Sequence, residues 1–400
     1  MSRPFSFVRV TEKAEKALKS GHPWVYCDEI VSLGDGICDG DIVDVFSKKG
    51  SWLGAGFFNS VSKIQVRVLS RNSNDRFDTA FFRRRLSWAV DYRKQVMGPD
   101  FMCCRLVFGE ADGLPGLTVD RFGDILVAQI ACLGLERIKS VIYAELLAVM
   151  RGAGERISAV YERNDIAVRE KEGLEQGRGF VWGDGSGTTQ IRENGLVFNV
   201  DYVNGQKTGF FLDQKYNRAS VARIARGRRV LDCFTHTGAF ALNAAAGGAE
   251  SVTAVDISEE ALKRAAENAA ENGLDIGFRQ ANVFEMLTEL AAKKSREFDF
   301  IILDPPAFTK SSSTVSAAIG GYREINQKAM KLLPRGGYLA TCSCSHFMTD
   351  ELFRKMLSAA AADAGVSLRQ IEARQQAPDH PILWGVPETD YLKFYIFQTV

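Results

Sequence analysis

Histidine is scarce in this chain, with four in 400 residues, and no cysteine pattern stands in for it as a metal-ligand set. The eight cysteines lie at 27, 38, 103, 104, 132, 233, 342 and 344, and none forms a Cys-x-x-Cys pair. That spacing excludes a zinc ribbon or finger and gives no disulfide framework, so the expectation is no metal and reduced thiols. No apolar run reaches the ~18 residues needed to span a bilayer, and Met1-Ser-Arg-Pro has no apolar signal core. The expectation is a soluble cytoplasmic protein with no membrane partner. Charge of one sign is also lacking: the net charge is +1, so no whole-chain attraction to nucleic acid follows. With 46% apolar and 25% charged residues, the chain can build sizeable cores.

A local bias does exist. Between Lys63 and Lys94 nine Lys or Arg face three Asp, and the run includes Arg83-Arg84-Arg85. Such a stretch can track phosphates, or it can be a solvated helix face.

The length predicts two or three domains. Residues 1–71 carry a helix at 12–19 and short alternating runs at 42–46, 53–58 and 64–68, separated by glycine turns. That pattern predicts a small β-barrel. Residues 72–188 read as an α+β unit, with helices at 79–96 and 135–150 and strands at 104–108, 117–121, 125–130 and 159–162. Residues 189–400 alternate strand and helix. Strands are expected at 229–232, 251–256, 277–281, 298–304 and 338–342, and helices at 239–246, 259–272, 284–294 and 323–333. Alternation predicts a mostly parallel α/β sheet with helices on both faces. The closing run 391–397 is a late strand that could insert antiparallel.

Ligands of such a sheet bind beyond the carboxyl ends of its strands. The first end reads Asp232-Cys-Phe234-Thr235-His-Thr-Gly238, with one glycine instead of Gly-x-Gly-x-x-Gly. Three glycines let backbone approach a pyrophosphate. S-adenosylmethionine has no phosphate and tolerates a looser turn. The second strand ends at Asp256-Ile257-Ser258. The Asp256 carboxylate can take both ribose hydroxyls, or it can cap the helix that starts near Ser258. Asn282-Val283, after the third strand, is placed to meet adenine. Upstream, Lys207-Thr-Gly-Phe-Phe211-Leu-Asp213 reads as a lid over the cofactor, with Lys207 and Asp213 as its polar ends.

Asp304-Pro305-Pro306 ends the fourth strand, and rigid prolines there can hold backbone against a flat substrate. Phe308 follows and could stack on a base. Cys342 and Cys344 lie on and beyond the fifth strand. Carbon 5 of a pyrimidine is a poor nucleophile. Thiolate addition at carbon 6 turns it into an enamine carbon. Cys344 lies nearer the loop that a substrate would reach, and Cys342 nearer the core. Simple packing is the alternative for either thiol, and Cys233 reads as packing. His346 is a possible base. His380 fits a substrate-side loop or a structural role equally.

Together these residues resemble the bacterial PUA-domain-containing ribosomal RNA large-subunit cytosine-C5 methyltransferases, over nearly the whole chain. Gly21-His-Pro-Trp-Val25 and the 64–69 strand resemble that family's PUA barrel. Gly109-Glu-Ala-Asp-Gly-Leu-Pro-Gly-Leu-Thr-Val-Asp120-Arg121 and Glu170-Lys-Glu-Gly-Leu174 resemble its central domain. Gly209-Phe-Phe-Leu-Asp213-Gln214, Asp232-x-Phe234-x-x-x-Gly238, Asp256, Asp304-Pro-Pro and Ser343-Cys344-Ser345 resemble its methyltransferase motifs. The resemblance implies a Rossmann-like class I methyltransferase domain with a seven-stranded sheet. It implies an N-terminal PUA barrel, S-adenosylmethionine as cofactor, ribosomal RNA as partner and a homodimer. It further implies Cys344 as nucleophile and Asp304 orienting the cytosine. Asn282 departs from the family's usual Asp at that position. The rival readings are methylation of another base, such as a guanine nitrogen, and a non-catalytic RNA-binding or ribosome-assembly factor.

Overall fold

The computed structural model describes residues 3–309 and 311–400, and the chain resolves into two compact units. The first comprises residues 1–191, 200–212 and 378–389, and the second residues 192–199, 213–377 and 390–400.

In the first unit, β1 (Ser6–Val10), α1 (Glu12–Lys19), β2 (Trp24–Tyr26), β3 (Ile30–Leu33), β4 (Ile42–Ser47), β5 (Trp52–Phe58) and β6 (Ile64–Ser70) open the chain. Their six strands form one sheet in the order β2-β6-β5-β4-β1-β3. Alternate residues turn inward: Val8, Val10, Val25, Val43, Val45 and Val66 are fully buried around Leu18 of α1. Next come α2 (Thr79–Met97), β7 (Cys103–Phe108), β8 (Leu117–Phe122), β9 (Ile125–Ile130), α3 (Leu133–Arg137), α4 (Lys139–Gly152), β10 (Ala159–Arg163) and β11 (Arg178–Gly183). Their strands form a second sheet, β11-β10-β9-β8-β7. The helix expected at 135–150 is two pieces, because Ile138 leaves helical dihedrals at φ −113°, ψ 14°.

A ribbon, β12 (Thr188–Glu193) with β13 (Leu196–Asp201), is divided between the two units. The second unit then runs α5 (Lys215–Ile224), β14 (Arg229–Cys233), α6 (Ala239–Ala246), β15 (Ser251–Asp256), α7 (Glu259–Glu271), β16 (Gly277–Gln280) and α8 (Val283–Ala292). It closes with β17 (Phe300–Leu303), α9 (Val315–Leu332), β18 (Tyr338–Ser343), α10 (Asp350–Ala364), β19 (Leu368–Arg374) and β20 (Lys393–Thr399). The seven strands lie in the order β16-β15-β14-β17-β18-β20-β19. Strands β14 to β18 pair in parallel, and β20 inserts antiparallel between β18 and β19, as the sequence pattern predicts. This is the Rossmann-like methyltransferase fold. The central strands read as near-continuous apolar runs because helices cover both faces; all four residues of β17 are fully buried.

The sequence places the helix after Asp304-Pro-Pro at 323–333, whereas α9 starts eight residues earlier, at Val315. Gly320-Gly321 lies inside the helix. In the fold a Cβ at Gly321 would come 3.3 Å from the Phe308 ring, so the glycine serves close packing inside the helix.

Candidate active site

The order of the central strands reverses at β14, so the crevice beyond its carboxyl end is the expected ligand site. The turn there is unusual. Phe234, His236 and Gly238 all have left-handed backbone, at φ 64°, 51° and 83°. Only glycine takes that region freely, so two of the three are held by their surroundings. Asp232 does much of the holding: its Oδ2 accepts from Thr235 Oγ1 at 2.5 Å and from the Ala241 amide at 3.0 Å. Asp256 does the rest. One of its oxygens accepts from the His236 amide at 2.9 Å and the other from the Ser258 amide at 3.0 Å. Asp256 therefore braces two strand ends, and the cap of α7 is Ser258, which accepts from the Ala261 amide. Ile257 stands beside it with 68% of its surface exposed. Asn282 caps α8 through the Phe284 amide at 3.0 Å, and Val283 is buried behind it.

The crevice fits S-adenosylmethionine. Asp232 Oδ1 is buried with no hydrogen-bond partner among the described residues, leaving an acceptor for an ammonium or hydroxyl donor. Burial pushes the Asp232 carboxyl up to about 7. Asp256 and exposed Ile257 offer the polar and apolar surfaces that a nucleoside needs. Lys207 and Phe211, expected in a lid, belong to the first unit, where the ammonium lies 4.7 Å above the Phe211 ring. Asp213 is in the second unit, buried, and accepts from the Tyr391 hydroxyl at 2.6 Å.

The neighbouring strand ends hold the other motif pair. Leu303 of β17 lies in register with Thr341 of β18, so the Asp-Pro-Pro loop and the segment around Cys344 leave the sheet side by side. Asp304 Oδ1 accepts from Gln214 Nε2 at 3.0 Å, and Gln214 is itself held by Asn217 at 2.6 Å. Burial first, and Asp213 second, push the Asp304 carboxyl up to about 6.

The two cysteines differ sharply. Cys342 lies within β18, fully buried, and its thiol is pushed well above the ordinary range by burial and by Asp304. Cys344 is the first residue beyond β18, half-buried, with Sγ 4.0 Å from the Pro305 carbonyl. Ser343 and Ser345 on either side are pinned, to the Tyr322 hydroxyl at 3.1 Å and the Thr309 carbonyl at 2.9 Å. Phe308 packs on Tyr322, with ring centroids 4.5 Å apart, as part of the wall of the Asp-Pro-Pro loop. Cys233 is fully buried in the core. His380 is in the first unit, buried and bonded to Asp379 at 2.9 Å.

Sequence reasoning missed Lys393. It faces Ser343 across the β18–β20 ladder, is 4% exposed, and donates to the Ser345 and Tyr391 carbonyls at 2.6 and 2.8 Å. Burial pushes its ammonium down to about 8, opposed in part by Asp390 and Cys344. The signal was present: one lysine inside the apolar run Tyr391-Leu-Lys-Phe-Tyr-Ile-Phe.

Residues 164–397 match the S-adenosylmethionine-dependent methyltransferase family, and residues 8–71 match the PUA-like domain. This chain belongs to the S-adenosylmethionine-dependent methyltransferases. Among curated relatives of this methyltransferase, "Ribosomal RNA large subunit methyltransferase I" of Shewanella denitrificans is 40% identical, covering 96% of this chain and 97% of the relative. The protein of the same name from Klebsiella pneumoniae is 39% identical over 95% of this chain and 94% of its own. A SAM-dependent methyltransferase structure from Streptococcus mutans superposes with a TM-score of 0.83 at 22% identity, over 98% of this chain and all of that one. A second methyltransferase structure, solved in complex with SAH, gives the same TM-score at 22% identity, over 98% of this chain and 99% of that one. The cofactor of this methyltransferase is S-adenosylmethionine. Among its described residues no helix is long and apolar enough to cross a membrane.

Proposed function

We propose that this methyltransferase modifies carbon 5 of a cytidine in large-subunit ribosomal RNA through a covalent cysteine adduct. The relatives named above supply the RNA class. The observation that carries the chemistry is Cys344: half-buried, at a strand end, 4.0 Å from the Asp-Pro-Pro loop. Cys342 is fully buried, and burial pushes its thiol well above the ordinary range.

In this reading the Cys344 thiolate adds to carbon 6 and carbon 5 becomes nucleophilic. Asp304, whose carboxyl titrates near 6, donates a hydrogen bond or proton to ring nitrogen 3 as negative charge develops there. Bound S-adenosylmethionine supplies the electrophilic methyl group. Water then takes the carbon 5 proton, the 5,6 double bond re-forms, Cys344 leaves as thiolate, and nitrogen 3 returns its proton to the Asp304 carboxylate. The segment 1–71 acts as an RNA-binding barrel, 72–188 as a central domain and 189–400 as the methyltransferase domain, in a cytoplasmic homodimer. Asp256, Ile257, Ser258, Asn282 and Val283 hold the nucleoside, with Phe234, Thr235 and Gly238 shaping the turn beneath it.

The test is mass mapping of ribosomal RNA from a strain lacking the protein, complemented with wild type, Cys344→Ser or Cys342→Ser. The expected result is one 5-methylcytidine lost in the deletion, restored by wild type and Cys342→Ser, and not by Cys344→Ser. Full methylation in the Cys344/Cys342 double variant would overturn covalent catalysis. Loss of a methyl from a guanine would overturn the choice of base.

A further inference from the structure

The first unit holds a concave site of its own. A cavity of about 470 Å³ opens beside α2, with Leu69, Arg71, Arg85, Trp88, Tyr92 and Leu383 in its wall. Most of the basic run from 63 to 94 is spent on the fold. Arg83 pairs with Glu145, Arg84 with Asp75 at 2.7 Å, Arg93 with Asp112 at 2.5 Å, and Arg67 with Glu172 at 2.7 Å. Of the two readings of this run, phosphate contact is left to the cations that remain.

Two of these face the cavity. Arg85 gives one Nη2 bond to the Leu69 carbonyl at 3.0 Å, and its Nε is buried without a partner. Arg71 gives one bond to the His22 carbonyl at 3.3 Å. Neither forms an ion pair with a carboxylate among the described residues. The acids in the wall are already engaged: Glu110 accepts from the Trp24 indole at 3.0 Å, and Asp112 holds Arg93 and the Phe108 amide. The cavity thus presents donors in search of an anionic acceptor.

Its rim is aromatic. Trp88 is 55% exposed, with the Arg84 and Arg85 guanidiniums 5.6 and 5.5 Å from its ring. Trp384, which follows the wall residue Leu383, is 97% exposed. Tryptophan on a finished surface is uncommon. Guanidiniums over a half-exposed indole are what an unstacked nucleotide needs, with phosphate on the cations and base on the exposed part of the ring. An acidic peptide would use the arginines and leave Trp88 idle.

We propose that this cavity binds an unpaired nucleotide of the RNA substrate, its phosphate on Arg71 and Arg85 and its base on Trp88. The proposal rests on the RNA reading above, but not on the cysteine chemistry.

Full-length protein is titrated with a fluorescent single-stranded decaribonucleotide and, separately, with a decaglutamate peptide, both by anisotropy. Trp88→Ala is expected to weaken RNA binding about tenfold, and Trp88→Phe to recover most of it. Arg85→Gln should reduce the slope of log affinity against log salt by about 0.7. S-adenosylmethionine binding, read by calorimetry on the same samples, should stay unchanged, and each variant should give the circular dichroism spectrum and melting temperature of the wild type, which excludes misfolding of the first unit. Equal RNA affinity in wild type and Trp88→Ala, or decaglutamate binding as tight as RNA, would overturn the proposal. RNA binding that depends on Trp88, together with unchanged ribosomal RNA methylation in the deletion strain, would support this site and sink the catalytic reading instead.

Discussion

Cys342 and Cys344 are two residues apart in sequence and far apart in chemistry. A thiol becomes a nucleophile only as its thiolate. Cys342 pays for its place in the sheet with a thiol that burial and Asp304 hold protonated, whereas Cys344 lies past the last ladder pair, where a substrate can approach. Asp304 is tuned by the same low-dielectric surroundings. Its carboxyl is raised from 3.8 to about 6, so the folded protein holds that proton more tightly than the unfolded chain. The resulting stabilisation is complete below about 3.8 and is lost as pH rises through about 6. Above that the fold carries an ionised, partly buried carboxylate. Asp304→Asn keeps an acceptor for Gln214 and removes the charge. The variant should therefore melt higher than wild type at pH 8, lose that advantage at pH 4, and be catalytically impaired throughout. An equal difference in melting temperature at both pH values would show that the stored cost lies elsewhere.

At the scale of elements, the cofactor turn joins β14 to α6 through three left-handed residues, and Gly238 is the one that cannot be replaced. A Cβ there would sit 2.8 Å from Leu242 Cδ1 and 2.9 Å from Ala265 Cβ, on top of the backbone penalty at φ 83°. Gly238→Ala should cost about 2–4 kcal/mol and shift α6 against α7. Calorimetry should register weaker S-adenosylmethionine binding alongside a lower melting temperature. Unchanged cofactor affinity would separate the turn from the cofactor site. This turn, the strand–helix alternation and the antiparallel last strand were legible in sequence because each leaves a local mark: a lone glycine, a run of buried apolar residues, a strand with no helix after it. The start of α9 was not, since two glycines lower helix propensity and the packing of Gly321 on Phe308 leaves no local mark. The pairing of the basic triplet was not legible for a different reason. The carboxylate that engages Arg83 is Glu145, 62 positions away, and charge patterning carries no such long-range information. Lys393 was overlooked because a single cation in an apolar strand means nothing until its carbonyl partners are known.

For the whole molecule, the decisive fact is that the chain passes between its two units repeatedly, so linear segments and folded units do not coincide. Residues 200–212 and 378–389 complete the first unit although they lie far along the sequence. Their anchors are buried and polar. Thr208 donates to Asp120 at 2.5 Å. Asp379, fully buried, accepts from the Arg105 amide at 2.8 Å, and its carbonyl accepts from Arg93 at 2.9 Å. Burial of such groups is tolerable only while every partner is present. A fragment comprising residues 189–400 would keep the seven-stranded sheet and lose all of those partners. It should retain helical and strand dichroism, yet be cut by protease within 200–212 and 378–389, where the full-length protein is protected. Mass spectrometry of the early cleavage products reads this directly. If the fragment instead unfolds in one cooperative step with both segments protected, then these anchors do not order them, and residues 189–400 fold on their own.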